Sequence, residues 1–197
     1  MAWDRFALWR GAVYWYNKGV DLHRSGDYKK AIQCFDRALE KDPEDADAWY
    51  NKGVALYDLD RYGEAIQCYD RALEIDPEYV NACNNKGLAL KTLRLYDEAI
   101  QCYDRALERD PECAKVWHNK GNTLYDLRRY NEAIQCYDRV LEIDPEHILA
   151  KDSRERALKK DRPVDRATGV AKHKFTPGRD AINWYNLGVT YRSSGHH

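Results

Sequence analysis

Four glycines, Gly19, Gly53, Gly87 and Gly121, stand 34 residues apart, and the same interval separates Ala31, Ala65, Ala99 and Ala133, then Pro43, Pro77, Pro111 and Pro145. The decapeptide AIQCYDRALE is identical from Ala65 and from Ala99, with one-letter variants from Ala31 and Ala133. A strict period constrains a fold more than length does, because each unit must be the same small structure and must find the other half of its core in a neighbour. Within one unit, two stretches carry apolar residues at helical spacing, a short turn separates them, and Asp-Pro closes the second. The period therefore predicts an all-α array of stacked antiparallel helical hairpins, four of them, over 12–45, 46–79, 80–113 and 114–147.

The residues at these places resemble the tetratricopeptide repeat. Trp49, Gly53, Ala65, Tyr69, Ala72 and Pro77 fall on its pattern, as do Trp15, Gly19, Ala31, Phe35, Ala38 and Pro43 in the first unit and Trp117, Gly121, Ala133, Tyr137 and Pro145 in the fourth. The third unit departs with Cys83 in the tryptophan position; all four carry lysine (Lys18, Lys52, Lys86, Lys120) where the pattern has leucine, and leucine (Leu22, Leu56, Leu90, Leu124) where it has tyrosine. The resemblance implies a right-handed α-α superhelix whose first helices line a concave groove, and a role in binding other proteins. In physical terms, Gly53 and Ala65 let the two helices of a hairpin approach, with Trp49 and Tyr69 filling the space on either side.

Past Pro145 the pattern weakens. Residues 148–160, strongly charged, read as a capping helix; 161–180, punctuated by Pro and Gly, as a linker. Residues 181–195 restore Trp184, Leu187, Gly188 and Tyr191, a first helix with no second. Such a half-repeat suggests that the natural chain continues, and an apolar stripe so short of partners is expected to dock, giving a possible homodimer through 181–195.

Composition narrows the function. Lys and Arg total 32 against 33 Asp and Glu, a formal net charge of −1, which argues against nucleic acid and anionic membrane as partners. No apolar run reaches the roughly 20 residues of a membrane span, and no signal peptide is evident, so a cytoplasmic setting is expected. Six cysteines without a C-x-x-C pair fit that setting as free thiols. The row Cys34, Cys68, Cys102, Cys136 belongs to helices too far apart for disulfides, and no His or Asp ligands accompany it, so no metal and no cofactor are expected. His196 and His197 resemble a tag fragment and carry no weight. There is no phosphate loop, nucleophile elbow or HExxH, and the chain is not expected to be an enzyme.

Recognition is instead placed on the first helices. Asn17, Asn51, Asn85 and Asn119 recur one residue before each Lys-Gly pair, and Asn186 repeats the place. An amide donates and accepts, so a row at the repeat pitch is suited to the peptide groups of an extended segment, as similar rows are in some relatives. The alternative left open is that these amides bond within their own or the next helix. Beside them stand Tyr16, Tyr50, Asn84 and His118, then Val20, Val54, Leu88 and Asn122, with Tyr57, Tyr125 and Lys115 completing the expected peptide-binding set. Some relatives clamp the terminal carboxylate of a chaperone; here Asn85 and Lys115 match that clamp, whereas Tyr50, Val54 and Asn119 do not, and no standard clamp is expected. Asp47 and Asp58 in the early groove against Lys91 and Lys115 in the later half suggest that acidic ligand residues lie toward the third and fourth units. In the decapeptide, Asp70 and Glu74 are expected to form surface pairs with Arg71, and the lysine row to extend its heads into water. The competing function is a self-associating assembly module that uses the array ends and the half-repeat.

Overall fold

The structure, a computed structural model, describes residues 2–161. Its helices are α1 (Ala2–Arg24), α2 (Tyr28–Leu39), α3 (Ala46–Tyr57), α4 (Tyr62–Ile75), α5 (Val80–Thr92), α6 (Tyr96–Arg109), α7 (Ala114–Asp126), α8 (Tyr130–Ile143) and α9 (Ile148–Asp161), and the described residues contain no strand. Each helix packs on the next in sequence. In addition α1 touches α3, α3 touches α5, α5 touches α7 and α7 touches α9, whereas the even-numbered helices do not meet one another. Odd helices that crowd and even helices that splay bend the array around the odd ones, so α1, α3, α5 and α7 form the inner wall of an all-α superhelix. The first helix is longer than the period predicts, beginning about ten residues before the first unit. Residues 162–197, which include the linker and half-repeat, lie outside the described residues.

Local chemistry sets the hairpin. Asp27 and Asp45 cap α2 and α3 by accepting from the backbone N–H groups of Lys30 and Ala48 at 3.3 and 2.9 Å. Between the helices of each unit the chain turns through one left-handed residue: Gly26 in the first, but Asp60, Arg94 and Arg128 in the others, at φ of 59°, 63° and 60°. The turn closes helix α3 with Arg61 N–H donating to Leu56 C=O and Asp60 N–H to Tyr57 C=O. At the other end of the unit, the aspartate of each Asp-Pro accepts from the backbone two residues on, as Asp76 does from Glu78 at 3.0 Å. The indole N–H groups of Trp49 and Trp117 then reach back to the carbonyls of Pro43 and Pro111 at 2.9 and 2.8 Å, tying one unit to the next. Where Cys83 replaces tryptophan, Arg105 donates to the Pro77 carbonyl instead, at 3.3 Å.

The core places the aromatic of each second helix directly on the glycine of the first, correcting the expectation that large side chains fill only the flanks. A Cβ at Gly53 would lie 2.6 Å from the Tyr69 ring, and the same holds for Gly19 with Phe35, Gly87 with Tyr103 and Gly121 with Tyr137. All four rings are buried. Small residues on the odd helices, Ala48 and Ala55 on α3, Ala82 and Ala89 on α5 and Ala157 on α9, meet the preceding even helix, and Val116 does so on α7.

Two charge expectations are corrected as well. Arg71 pairs with Glu74, but Asp70 turns to Lys86 of the next unit at 2.6 Å; Asp36–Lys52, Asp104–Lys120 and Asp138–Arg154 repeat the link at 2.6, 2.5 and 2.5 Å. The Lys52, Lys86 and Lys120 heads are thus bound between units, with Lys52 and Lys120 also over the Trp49 and Trp117 rings, whereas the Lys18 head lies over the Tyr14 and Trp15 rings of its own helix. Burial alone would depress the Lys86 pKa, yet the Asp70 hydrogen bond and charge outweigh it and hold it above the usual lysine value. The reason such links form is geometric: the seventh residue of one unit, on its odd helix, meets the twenty-fifth residue of the preceding unit, on its even helix, so each pair is 16 residues apart in sequence.

Candidate protein-binding groove

The inner wall is built from polar ladders that connect each odd helix to the next. In the first, the Asn51 amide N–H donates to the Tyr16 hydroxyl at 3.1 Å, Asn85 to the Tyr50 hydroxyl at 3.1 Å, and Asn119 to the Asn84 carbonyl oxygen at 2.8 Å. In the second, two turns further along, His23 meets Asp58 at 2.7 Å, Tyr57 meets Thr92 at 3.5 Å and Lys91 meets Asp126 at 3.1 Å. Every rung joins residues 35 apart in sequence, one period plus one residue. That offset was readable as a sequence regularity, but it gains meaning only once the inner helices are known to run side by side.

The asparagine row therefore bonds to the neighbouring helix, the alternative that the sequence left open. It is not fully spent. Asn51 also donates to the Asp47 carbonyl at 2.8 Å, which uses its N–H groups and leaves its oxygen free among the described residues. Asn85 accepts from Asn84 and keeps one N–H, and Asn119 keeps its oxygen. The side chain of Asn17, the first of the row, is exposed and makes no hydrogen bond within the described residues. Asn84 is placed differently from the expectation: at 1% exposure, between Asn85 and Asn119, it is a strut of the wall and does not face a ligand.

The remaining expected residues divide in the same way. Tyr16 and Tyr50 are half-buried behind the amides they receive, and burial raises both phenol pKa values. Val54, Leu88, Tyr57 and Tyr125 are half-buried. Asn122 accepts from the Tyr137 hydroxyl at 2.9 Å and so supports the core as well as the groove. Among the charges, Asp58 and Lys91 are paired along the wall and Asp47 accepts from the Tyr79 hydroxyl at 2.5 Å, a bond the sequence reading missed. Lys115 is exposed and forms no ion pair among the described residues, so it is a cation available to a ligand. Of the two clamp matches, Asn85 is already bonded to Tyr50, the residue that replaces the clamp lysine.

At the far end, His118 lies against Tyr137 and His147 with ring centroids 5.8 and 5.4 Å away. Burial depresses its pKa below the usual imidazole value, His147 adds to this, and a hydrogen bond to the Leu149 backbone opposes both. Its Nε2 is buried and without a partner among the described residues. The thiols of Cys68, Cys102 and Cys136 are pushed up to about 11 by burial and are unreactive packing elements. No group of three or more His, Cys, Asp or Glu among the described residues is arranged to hold a metal, and none of their helices is long and apolar enough to cross a membrane.

Comparison with known proteins agrees with this geometry at the level of the fold. A crystal structure of MamA superposes with a TM-score of 0.67 at 21% identity, covering 76% of this chain and 87% of that one. The first tetratricopeptide domain of Spaghetti, bound to the HSP90 peptide SRMEEVD, gives 0.57 at 24% identity over 58% of this chain and 90% of that one. The Arabidopsis OM64 tetratricopeptide domain gives 0.56 at 24% over 58% and 94%. The curated protein sequences gave no match. Two family descriptions, both of the tetratricopeptide repeat, match residues 16–80 and then 80–113 and 114–147, without a gap across the hairpins. The stacked glycine-on-aromatic hairpins and these matches over the same residues make the chain a member of the tetratricopeptide repeat family.

Proposed function

We propose that the protein is an interaction scaffold that holds an extended segment of a partner protein along the wall formed by α1, α3, α5 and α7. The observation that carries this reading is the asparagine row: Asn51, Asn85 and Asn119 are fixed by bonds to the preceding inner helix yet each retains a donor or acceptor, and the exposed Asn17 amide keeps all of its own within the described residues. Amides held in place before binding lose little rotamer freedom when a peptide arrives, so the affinity of each contact is conserved. Tyr57, Tyr125, Val54 and Leu88 supply the apolar surface between the amides, and Lys115 favours an acidic residue late in the segment. The HSP90 peptide in the Spaghetti domain supports a peptide ligand as a class. The missing clamp residues argue for a different peptide here.

The competing reading, end-to-end self-assembly, is weakened at both described ends. Where α3, α5 and α9 have buried alanines and α7 has buried Val116 and Thr123, α1 has Tyr14, 58% exposed, and Asp21. A preceding helix could not approach them closely. On α9 the glycine position is occupied by Glu155, where an aromatic of a further helix would have to sit.

Affinity capture from lysate of the source cell tests the reading. Wild type is compared with Asn17→Ala, which breaks no bond of the described structure, and with Asn51→Ala/Asn85→Ala. Loss of the same captured protein in both variants, with unchanged helix content by circular dichroism, is the expected result. Undiminished capture by both would refute the groove as the binding surface.

A further inference from the structure

Each odd helix after the first begins at the same place in the period, and the residue before it is Asp45 for α3, Tyr79 for α5, Cys113 for α7 and His147 for α9. Tyr79 and Cys113 make no side-chain cap. Asp45 accepts from the Ala48 N–H at 2.9 Å, and His147 Nδ1 accepts from the Ala150 N–H at 3.2 Å, an N–H that also reaches the His147 carbonyl at 3.1 Å. A carboxylate accepts throughout the neutral range, whereas Nδ1 of an imidazole accepts only while the ring is uncharged. The His147 ring lies 5.4 Å from that of His118, centroid to centroid, and His118 Nε2 is buried without a partner among the described residues. Two imidazoles, one capping a helix and one half-buried beside it, thus meet where α9 is seated on α7.

We infer that the His147–His118 pair is an acid-sensitive latch: proton uptake below neutral pH releases the start of α9 from α7. A proton on His147 acts three ways, all of one sign. It turns Nδ1 into a donor facing the Ala150 N–H, itself a donor. It adds positive charge at the positive end of the α9 dipole, where the first turn holds no acidic residue. It also stands beside His118, so each ring opposes a charge on the other. Around His118 are Tyr137 from α8, Lys91 from α5 and, along α9, Asp152 and Glu155 against Arg156 and Lys159. The α9 charges are two of each sign at exposed positions, which leaves the sign to burial. Burial, with His147 next, holds the His118 pKa below the usual imidazole value; Arg156 and Lys91 add to this and the Leu149 backbone opposes it. The stability that a neutral His118 contributes is complete above about pH 6.5 and is lost as pH falls through its lower value in the folded chain. Beside His147, Glu146 and Lys151 pair with each other at 3.3 Å, and the Asp144 carboxylate is taken by the Glu146 N–H. The far end of α9 is tied by Arg154 to Asp138 at 2.5 Å and by Asn131 to Asp161 at 2.8 Å, links without an imidazole, so opening starts at Ile148. A fully lifted α9 uncovers the Leu124, Ile134 and Tyr137 cluster that Ala157 closes, and removes one side of a cleft of about 510 Å³ at the end of the groove. His23 is the contrast: it faces the Asp58 carboxylate at 2.7 Å, where a proton completes an ion pair.

The test is amide hydrogen exchange of the full-length protein, followed by mass spectrometry at about pH 7.5 and about pH 5.5, with each rate divided by the intrinsic rate at that pH. Protection over 148–161 is expected to fall roughly tenfold in acid, the scale of a lost cap together with a charged buried imidazole, while α3 to α6 keep theirs within about twofold. His147→Asp supplies the acceptor that Asp45 supplies on α3 and is expected to hold α9 at the lower pH. His118→Asn, the residue at the same place on α5, cannot take up the proton and is expected to reduce the fall several-fold. In the wild-type protein, NMR should show the Ala150 amide proton titrating together with the His147 ring. Equal α9 protection at both pH values, an equal loss over α3 to α6, a fall as large as wild type in both variants, or an Ala150 amide that does not move with pH overturns the inference. No ligand is involved, so each outcome leaves the capture experiment on the groove to stand or fall separately.

Discussion

Replacing Gly53 with alanine adds one methyl group to the middle of α3, where alanine is normally the better helix former by about 1 kcal/mol. In this fold the sign is expected to reverse. The new carbon would stand 2.6 and 2.8 Å from two atoms of the Tyr69 ring and 3.2 Å from the Ala65 carbonyl oxygen. Ordinary carbon contacts begin near 3.5 Å, so the ring would have to withdraw by about 1 Å. Tyr69 is 1% exposed and is backed by Tyr50, with ring centroids 6.0 Å apart, so no free space receives it. Overpacking of a tight core costs about 1–3 kcal/mol, and after the helix-propensity gain a net loss of up to about 2 kcal/mol is expected. Gly63, on α4, is the control: a Cβ there meets nothing within 4 Å, so Gly63→Ala should stabilise by up to about 1 kcal/mol. Urea unfolding followed by far-ultraviolet circular dichroism measures both. A third variant tests the cause, since Tyr69→Leu removes the ring and should abolish the penalty of Gly53→Ala in that background. Gly53→Ala as stable as wild type, or equal effects at Gly53 and Gly63, would refute the reasoning.

Other outcomes follow from the same structure. Arg94→Gly relieves a left-handed residue at φ 63° in the α5–α6 turn and should raise stability by about 1 kcal/mol in the same urea assay, whereas a loss would mean that the side chain has a compensating role. A peptide ending in EEVD should show no micromolar binding by calorimetry, because Tyr50 and Val54 replace the clamp lysine and asparagine and Asn85 is engaged. The buried thiols, pushed up to about 11, favour the folded protein while they stay neutral; that contribution is complete below the ordinary thiol value near 9 and should be lost as pH rises from there toward 11. Urea midpoints across that range, with Cys68→Ala/Cys136→Ala showing a shallower decline, would check it.

The 34-residue period by itself determined the helical hairpins, their number and their stacking, since a recurring set of small and large apolar residues at helical spacing admits few other structures. It also set aside the cysteine row and the decapeptide as structural. Only the tertiary structure decided what the polar residues do. Lys86 and Asp70 are 16 apart, and Asn85 and Tyr50 are 35 apart. Which of these spacings brings atoms into contact depends on how closely one unit leans on the next, and that is fixed by side chains spread over several helices. The same holds for Asn84, which the pattern places beside the groove and the packing seals inside the wall, and for His118, whose missing partner is visible only when α9 is seated against α7. Helix periodicity is a property of neighbouring residues; the register between helices is a property of the whole array.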